Sequence, residues 1–527
     1  MAPGDILQDE RTFIDQTGRM YVVKSPEPLS EPPKDLVIAR TSKPWRIYLR
    51  MLGTVIPAFF LMYVLLFFVM GLISLEPSAV LISGICSAPL VFFILSLHKP
   101  RLVHVCLASP DETGSEAHSL SNGTSLRTPM RTNFVRYLVK DDSILDVPPN
   151  RQLWAIFASV ILIGAALSGM FYSEIESLQV VSVLLFILIA IPIWFIGFSL
   201  PVLAWWGTSN KLLGLPTRRR DAEAWLMAGM ASAFPAFLFN SLIAPEIANS
   251  ILDKGHWSYE FSLLAVGAPI CEEIFKAMAV AAFIPYINGP KQGFQVGFTV
   301  GLGFALIENF QYIGISLIGG PVGLSFTILV RGIGSIPGHA VWTAISGTAI
   351  GWVATDKKLK AKISWKARSM AISVIDIAEG AGFDTDGDGD LSGFDGSRPS
   401  LEEAIKQEVE KGVEESDPWI ILGRNPRKDG QEAHLGIDDF FLSYENNDPP
   451  NYRRGIHTPR GIYAALALSI AGHSFWNGSS FLSFSAAKWL GMGEGGATLV
   501  MLSWIVLLIS SLLFVGRGVI RGVNSLE

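Results

Sequence analysis

Apolar runs of about 18 to 25 residues recur along this chain, each long enough as a helix to cross a hydrocarbon layer roughly 30 Å thick. They fall at Met51 to Leu75, Val80 to Leu97, Leu153 to Tyr172, Leu178 to Trp206, Ala224 to Ala244, Tyr259 to Ile287, Phe294 to Ile315, Leu324 to Ala354, Gly461 to Ala486 and Ala497 to Val515. The pattern predicts an all-α polytopic membrane protein of about ten transmembrane helices. Polar stretches divide it into a segment 1–50, spans over 51–97, an insertion 98–152, spans over 153–355, an insertion 356–460, and spans with a tail over 461–527. Basic residues collect near alternate span ends: Arg40, Lys43, Arg46 and Arg50 before the first, Lys99, Arg101 and Arg151 around the second and third, Lys211 and Arg218 to Arg220 after the fourth, Arg517 and Arg521 after the last. Opposite connections hold little beyond Lys254 and Lys488. Retention of Lys and Arg on the cytoplasmic side then puts both termini and both insertions there, in an integral protein of the plasma membrane.

Composition agrees. Of 527 residues, 50% are hydrophobic and 17% charged, with 14 Trp and 32 Phe suited to lipid contact. The net charge of −6 gives no basic surface for nucleic acid. Cys86, Cys106 and Cys271 lie too far apart for zinc spacing or a disulfide framework. The N-terminal residues lack the basic and apolar regions of a cleavable signal. The first insertion opens on an alternating stretch, Arg101 to Ala108, that predicts a strand, and then turns Ser-, Thr- and Gly-rich like a linker.

Ionisable residues inside the spans change the picture most. Glu272, Glu273 and Lys276 fall in the sixth, Glu308 with Asn309 in the seventh, Arg331 and His339 in the eighth, and His473 with Asn477 in the ninth. An unpaired charge at the bilayer centre costs about 2.5 to 3.5 kcal/mol on insertion scales, so these groups must pair or face a wet cavity. Lys276 lies four residues from Glu272 and three from Glu273, on one helix face. Two adjacent carboxylates sharing one cation cannot both be ionised cheaply, which prepares one to exchange a proton. His473 and Asn477 also share a face, and Ser335-Ile336-Pro337-Gly338 should loosen the helix just before His339. Arg331 reads as the counter-ion of Glu308. The predicted cavity lies among spans six to nine.

Glu272-Glu273-x-x-Lys276, Phe304-x-x-x-Glu308-Asn309, an isolated His339 and His473-x-x-x-Asn477, in that order, resemble the PrsW family of intramembrane proteases, related to the CAAX endopeptidases and bacteriocin-processing membrane proteases. The resemblance spans roughly Trp225 to Ala486 without the large insertion. It implies hydrolysis of a peptide bond in a membrane-anchored protein. Glu272 and Glu273 match the family's essential glutamate pair, and His339 or His473 its essential histidine. The CAAX branch carries histidine where this chain has Glu308, which favours the PrsW branch and puts a prenyl-protein substrate in doubt. In this reading Glu272 activates water, Glu273 and Lys276 tune it, His473 and Asn477 serve the oxyanion, and Glu308, Asn309 and His339 complete the site. Two histidines and a carboxylate allow a catalytic zinc, but no H-E-x-x-H pair fixes ligands, so zinc is not required.

Two other classes use the same residues differently. A proton-coupled transporter would relay protons through them, although no internal repeat is visible; a membrane scaffold would need none of them. The second insertion adds an acidic loop at residues 384–395. There Asp384, Asp386, Asp388 and Asp395 occupy positions 1, 3, 5 and 12, Gly389 position 6, and Asp390 position 7, where the backbone carbonyl is the ligand. That spacing resembles an EF-hand-like calcium loop with a shortened twelfth ligand. Ser400 with Glu403 predicts a capping box opening the next helix.

Overall fold

The computed structural model describes residues 42–99, 102–119, 125–215, 217–382, 393–394, 396–398, 400–410 and 455–526, together with short strands at 11–14, 20–23, 29–30, 37–39 and 419–421. The chain divides into two units. The acidic loop residues Asp384, Asp386, Asp388, Asp390 and Asp395 lie outside the described residues.

The smaller unit is built of strands. β1 (Arg11–Ile14) pairs antiparallel with β2 (Met20–Val23), β3 (Leu29–Ser30) lies parallel to β6 (Ser125–Lys140), and β4 (Val37–Ala39) lies parallel to β7 (Trp419–Ile421). β5 (Leu102–Ser119) and β6 form a long antiparallel ribbon in the register Leu102↔Lys140 to Ser119↔Ser125, with an irregularity between Pro110 and Ser115. The Ser- and Thr-rich stretch expected to be a linker is therefore mostly strand. Its β-branched and aromatic residues from Thr132 to Val139 fit a pleated surface, and pairing with β5 satisfies the backbone. His118 is buried in the ribbon against the Ser115 carbonyl and the Thr132 hydroxyl, and burial lowers its pKa.

The larger unit is helical: α1 (Pro44–Ile73), α2 (Pro77–Leu97), α3 (Asn150–Phe171), α4 (Glu176–Leu213), α5 (Arg219–Leu238), α6 (Ala244–Ile251), α7 (Trp257–Ser262), α8 (Ala268–Ala281), α9 (Pro290–Ser316), α10 (Gly320–Val330), α11 (Ile336–Ala354), α12 (Lys357–Gly380), α13 (Leu401–Glu410), α14 (Ile462–Trp489) and α15 (Glu494–Asn524). Seven helical runs among the described residues are long and apolar enough to cross a membrane, and the longest, Pro290–Ala354, contains α9, α10 and α11. The sequence predicts about ten spans; the described residues show seven such runs, and some predicted spans are subdivided. Tyr259 to Ile287 is broken into α7, a π-helical turn Leu263–Gly267, α8 and a 3₁₀ turn Ile284–Tyr286; Leu324 to Ala354 is broken by a π turn at Arg331–Ser335; and a π turn Phe239–Ile243 follows α5. Each π turn precedes a helix with Pro in its first turn: Pro245, Pro269 and Pro337. A proline nitrogen cannot join the α ladder, and the wider turn absorbs the misfit.

At the centre lies α9, most of whose residues are buried. It packs antiparallel on α11 through small residues. A Cβ built on Gly297 would lie 2.6 Å from the Thr343 carbonyl oxygen, and one on Gly301 2.4 Å from that of His339. On its other side Gly303 meets α5, where a Cβ would lie 2.0 Å from the Leu226 carbonyl. Such backbone contact replaces hydrophobic driving force as the cohesion between helices in lipid. Near the chain's first span, the Arg50 guanidinium ties α1 to α5 by gripping Glu223 with two bonds of 2.9 and 2.8 Å, and Arg219, one turn before Glu223 on α5, adds bonds of 3.2 Å.

Candidate active site

Four helices, α8, α9, α11 and α14, with the π turn ahead of α11, carry the charged residues to one place. α8 projects Glu272, Glu273 and Lys276 from one face, all buried. The Lys276 ammonium donates to Glu273 Oε1 at 2.5 Å and lies 3.9 Å from Glu272 Oε2. Lys276 also contacts His339 Nδ1 at 3.1 Å and sits 4.3 Å over the Phe304 ring of α9. With an ammonium at Nδ1 that ring nitrogen accepts, which leaves Nε2–H to donate to Glu308 Oε2 at 2.8 Å. Arg331, from the π turn ahead of α11, meets the same Glu308 oxygen at 2.6 Å, bonds to Asn309 and stacks over Tyr312 at 4.3 Å. The expected counter-ion role of Arg331 is thus present in the geometry.

The two glutamates differ sharply in surroundings. Glu273 is fully enclosed: Lys276 and His473 Nδ1, at 3.1 Å, share its Oε1, and the Thr343 hydroxyl donates to Oε2 at 3.4 Å. Glu272 lines a cavity of about 480 Å³. Its Oε1 accepts from Asn240 at 3.3 Å, but Oε2 is buried without a hydrogen-bond partner among the described residues. Glu308, Arg331, Asn477, Tyr312 and Trp476 line the same cavity. An orphaned carboxylate oxygen is costly unless water or substrate uses it.

His473, on α14, is held from both sides. Its imidazole stacks on Trp342 with centroids 4.7 Å apart and planes 16° apart, and lies 4.8 Å from the His339 ring. Asn477, one turn further, donates to the Leu264 carbonyl at 3.0 Å. That carbonyl belongs to a π turn, whose widened ladder frees backbone groups, and the amide's second N–H remains for the cavity.

Glu272, Glu273, Lys276, Glu308, His339 and His473 therefore form one connected network. Asn309 is buried behind it through Arg331, and Asn477 is on the cavity wall. Asn240, Trp342 and Thr343 belong to the site and escaped the sequence reading. Asn240 had a signal, as a lone amide in an apolar run. Trp342 and Thr343 lie three and four residues after His339, on its helix face, and nothing in their residue types alone points to chemistry.

A metal ion passes a test of type and nearness: one ligand atom from each of Glu272, His339 and His473 lies within 4.8 Å of the others. Tetrahedral zinc with bonds of about 2.1 Å would need these atoms drawn closer, roughly 3.4 Å apart, and His339 already engages Lys276 and Glu308.

Comparison with known proteins identifies the segment. Residues 222–375 match the family model for PrsW family intramembrane metalloproteases. The resemblance read from the sequence is borne out over those residues, which include Glu272, Glu273, Lys276, Glu308, Asn309 and His339. His473 and Asn477 lie beyond the match, and folding brings them to it. No curated protein and no solved structure matches the chain.

Proposed function

Proceeding from membership of that segment in the PrsW family, we propose that this protein is an intramembrane endopeptidase in which Glu272 activates the hydrolytic water. The observation that carries the assignment is the contrast between the glutamates: Glu272 lines the cavity and its Oε2 accepts no hydrogen bond, lying 3.9 Å from Lys276 Nζ and from His473 Nδ1, while Glu273 is fully engaged. Water on Glu272 Oε2 would lose a proton to that carboxylate as its oxygen attacks the scissile carbonyl. Glu273 holds the Lys276 ammonium and His473 in place; a protonated His473 would donate its Nε2–H to the developing oxyanion. Asn477 supplies a second donor through its free amide hydrogen. As the tetrahedral intermediate collapses, Glu272 returns its proton to the leaving amine nitrogen. Glu308, paired with Arg331, accepts from His339 Nε2–H and so fixes the orientation of the His339 ring. A metal, if held, would take Glu272, His339 and His473 as ligands and supply Lewis-acid polarisation of the scissile carbonyl.

The substrate class is a membrane-anchored protein whose peptide enters the cavity from the bilayer. Membrane proteomes of cells expressing wild-type protein and Glu272→Gln test the proposal. Single-span proteins should accumulate at full length in the variant and appear as fragments with the wild type. Identical fragment profiles at equal protein levels would contradict protease function and favour a transporter or scaffold.

A further inference from the structure

α12 follows α11 after only Thr355 and Asp356, and Asp356 caps it by accepting from the Lys358 and Leu359 amides. Because α11 is the last part of a membrane-spanning run, α12 begins at the level where that run leaves the hydrocarbon. Its sequence, KKLKAKISWKARSMAISVIDIAEG, is strongly two-sided. Leu359, Ile363, Ala367, Met370, Val374 and Ile377 follow one another at intervals of three or four, forming a single stripe. Toward its C-terminal end that stripe is open: Met370 is 57%, Val374 64% and Ile377 72% exposed. Lys358, Lys362 and Lys366 form an adjacent exposed row one edge away from the stripe. The opposite face is spoken for by the protein itself, with Ala361, Ile372 and Glu379 buried.

We propose that α12 is an interfacial helix whose open stripe dips into the acyl boundary of the adjoining leaflet while its lysine row binds anionic lipid headgroups. An apolar stripe beside a lysine row is the arrangement that amphipathic helices use to lie in a bilayer surface. Each lysine near an anionic surface contributes favourably, and the attraction is weakened by salt. The helix is also coupled to the catalytic bundle. Lys360, buried on its inner side, donates to the Ile287 carbonyl at 3.2 Å and to Asn288 Oδ1 at 2.9 Å, just past the 3₁₀ turn Ile284–Tyr286 that follows α8. One interfacial helix is therefore joined covalently to the helix bearing His339 and by hydrogen bonds to the segment following Glu272 and Glu273. The proposal does not depend on which bond the cavity hydrolyses.

Spin labels on the full-length protein in nanodiscs test it. In a background with Cys86→Ala, Cys106→Ala and Cys271→Ala, single variants Val374→Cys and Ser373→Cys are labelled, and their collisions with oxygen and with a water-soluble nickel chelate are compared. In phosphatidylcholine–phosphatidylglycerol discs, the label at Val374 should favour oxygen several-fold over the label at Ser373. Phosphatidylcholine alone, or molar salt, should reduce that preference. The combination Lys358→Glu, Lys362→Glu and Lys366→Glu should reduce it as well; the salt and lipid arms carry the test if that variant misfolds. Equal nickel access at both positions, a Val374 label shielded from both reagents, or indifference to lipid charge and salt would each overturn the proposal.

Discussion

Glu272 and Glu273 are adjacent in sequence yet occupy different chemical worlds, because a helix turns each successive side chain by about 100°. Glu273 points into the packed seam between α8, α11 and α14, and Glu272 toward the cavity. Replacing Glu273 should therefore scatter the site, and replacing Glu272 should silence it with little rearrangement. Asn240 offers a finer test. Its bond to Glu272 Oε1 is charge-assisted, and Cys271 Sγ in turn lies 3.0 Å from its carbonyl oxygen. Loss of one such bond is worth about 1.5 to 3 kcal/mol. Asn240→Leu should lower kcat by roughly 10- to 100-fold, with KM little changed. A cleavage assay showing an unaltered kcat would remove Asn240 from the site. At this scale much was legible: ionisable residues in apolar runs cannot be accidental at their energetic cost. The division of labour between the two glutamates was not, since it depends on helix rotation and on partners from distant parts of the chain.

At the scale of elements, α9 and α11 are held together by the absence of side chains. Gly301 sits against the backbone of His339, so a larger residue cannot be relieved by a rotamer change. Overpacking typically costs about 1 to 3 kcal/mol, and here it would also shift the helix that carries a site residue. Gly301→Val should lower the thermal midpoint in detergent and reduce cleavage together; an unchanged midpoint would show that the seam tolerates separation. The capping box expected from Ser400 and Glu403 is present, with bonds of 2.8 and 3.2 Å, because its signature is local. The π turns were not legible. Pro245, Pro269 and Pro337 announce a disturbance, but only tertiary packing selects a widened turn over a kink.

One contact outside the spans gives a pH prediction. Asp376 of α12 accepts from the Phe394 amide at 2.9 Å and pairs with Arg398 at 2.8 Å, and these hold its carboxyl below the ordinary range. A depressed carboxylate pKa adds stability that is full above the unfolded value of about 3.9 and is lost as pH falls through the folded value. Hydrogen exchange at the Phe394 amide should thus remain protected from neutral pH to about pH 4 and lose protection below it. Protection that fades already near neutrality, or persists in Asp376→Asn at every pH, would refute this clamp.

For the whole molecule, the hydrophobic pattern located the long apolar helices of the described residues, since lipid demands long uninterrupted apolar segments. It misjudged the Ser- and Thr-rich half of the first insertion, where pairing with a distant partner decides between linker and strand. The charge asymmetry predicts that both termini share the cytoplasmic side. Reporter fusions active only in the cytoplasm should be active at either end, and activity at one end alone would require an odd number of crossings. The central claim is that α8, α9, α11 and α14 assemble one hydrolytic site from residues that act as a unit. The direct measurement is cleavage of a single-span protein identified by its accumulation, using purified protein in proteoliposomes with Glu272→Gln, His473→Ala and the double variant. The account predicts that each single variant loses nearly all activity and that the double loses no more than either, as expected for groups serving one transition state. Cleavage by Glu272→Gln at the wild-type rate would contradict it.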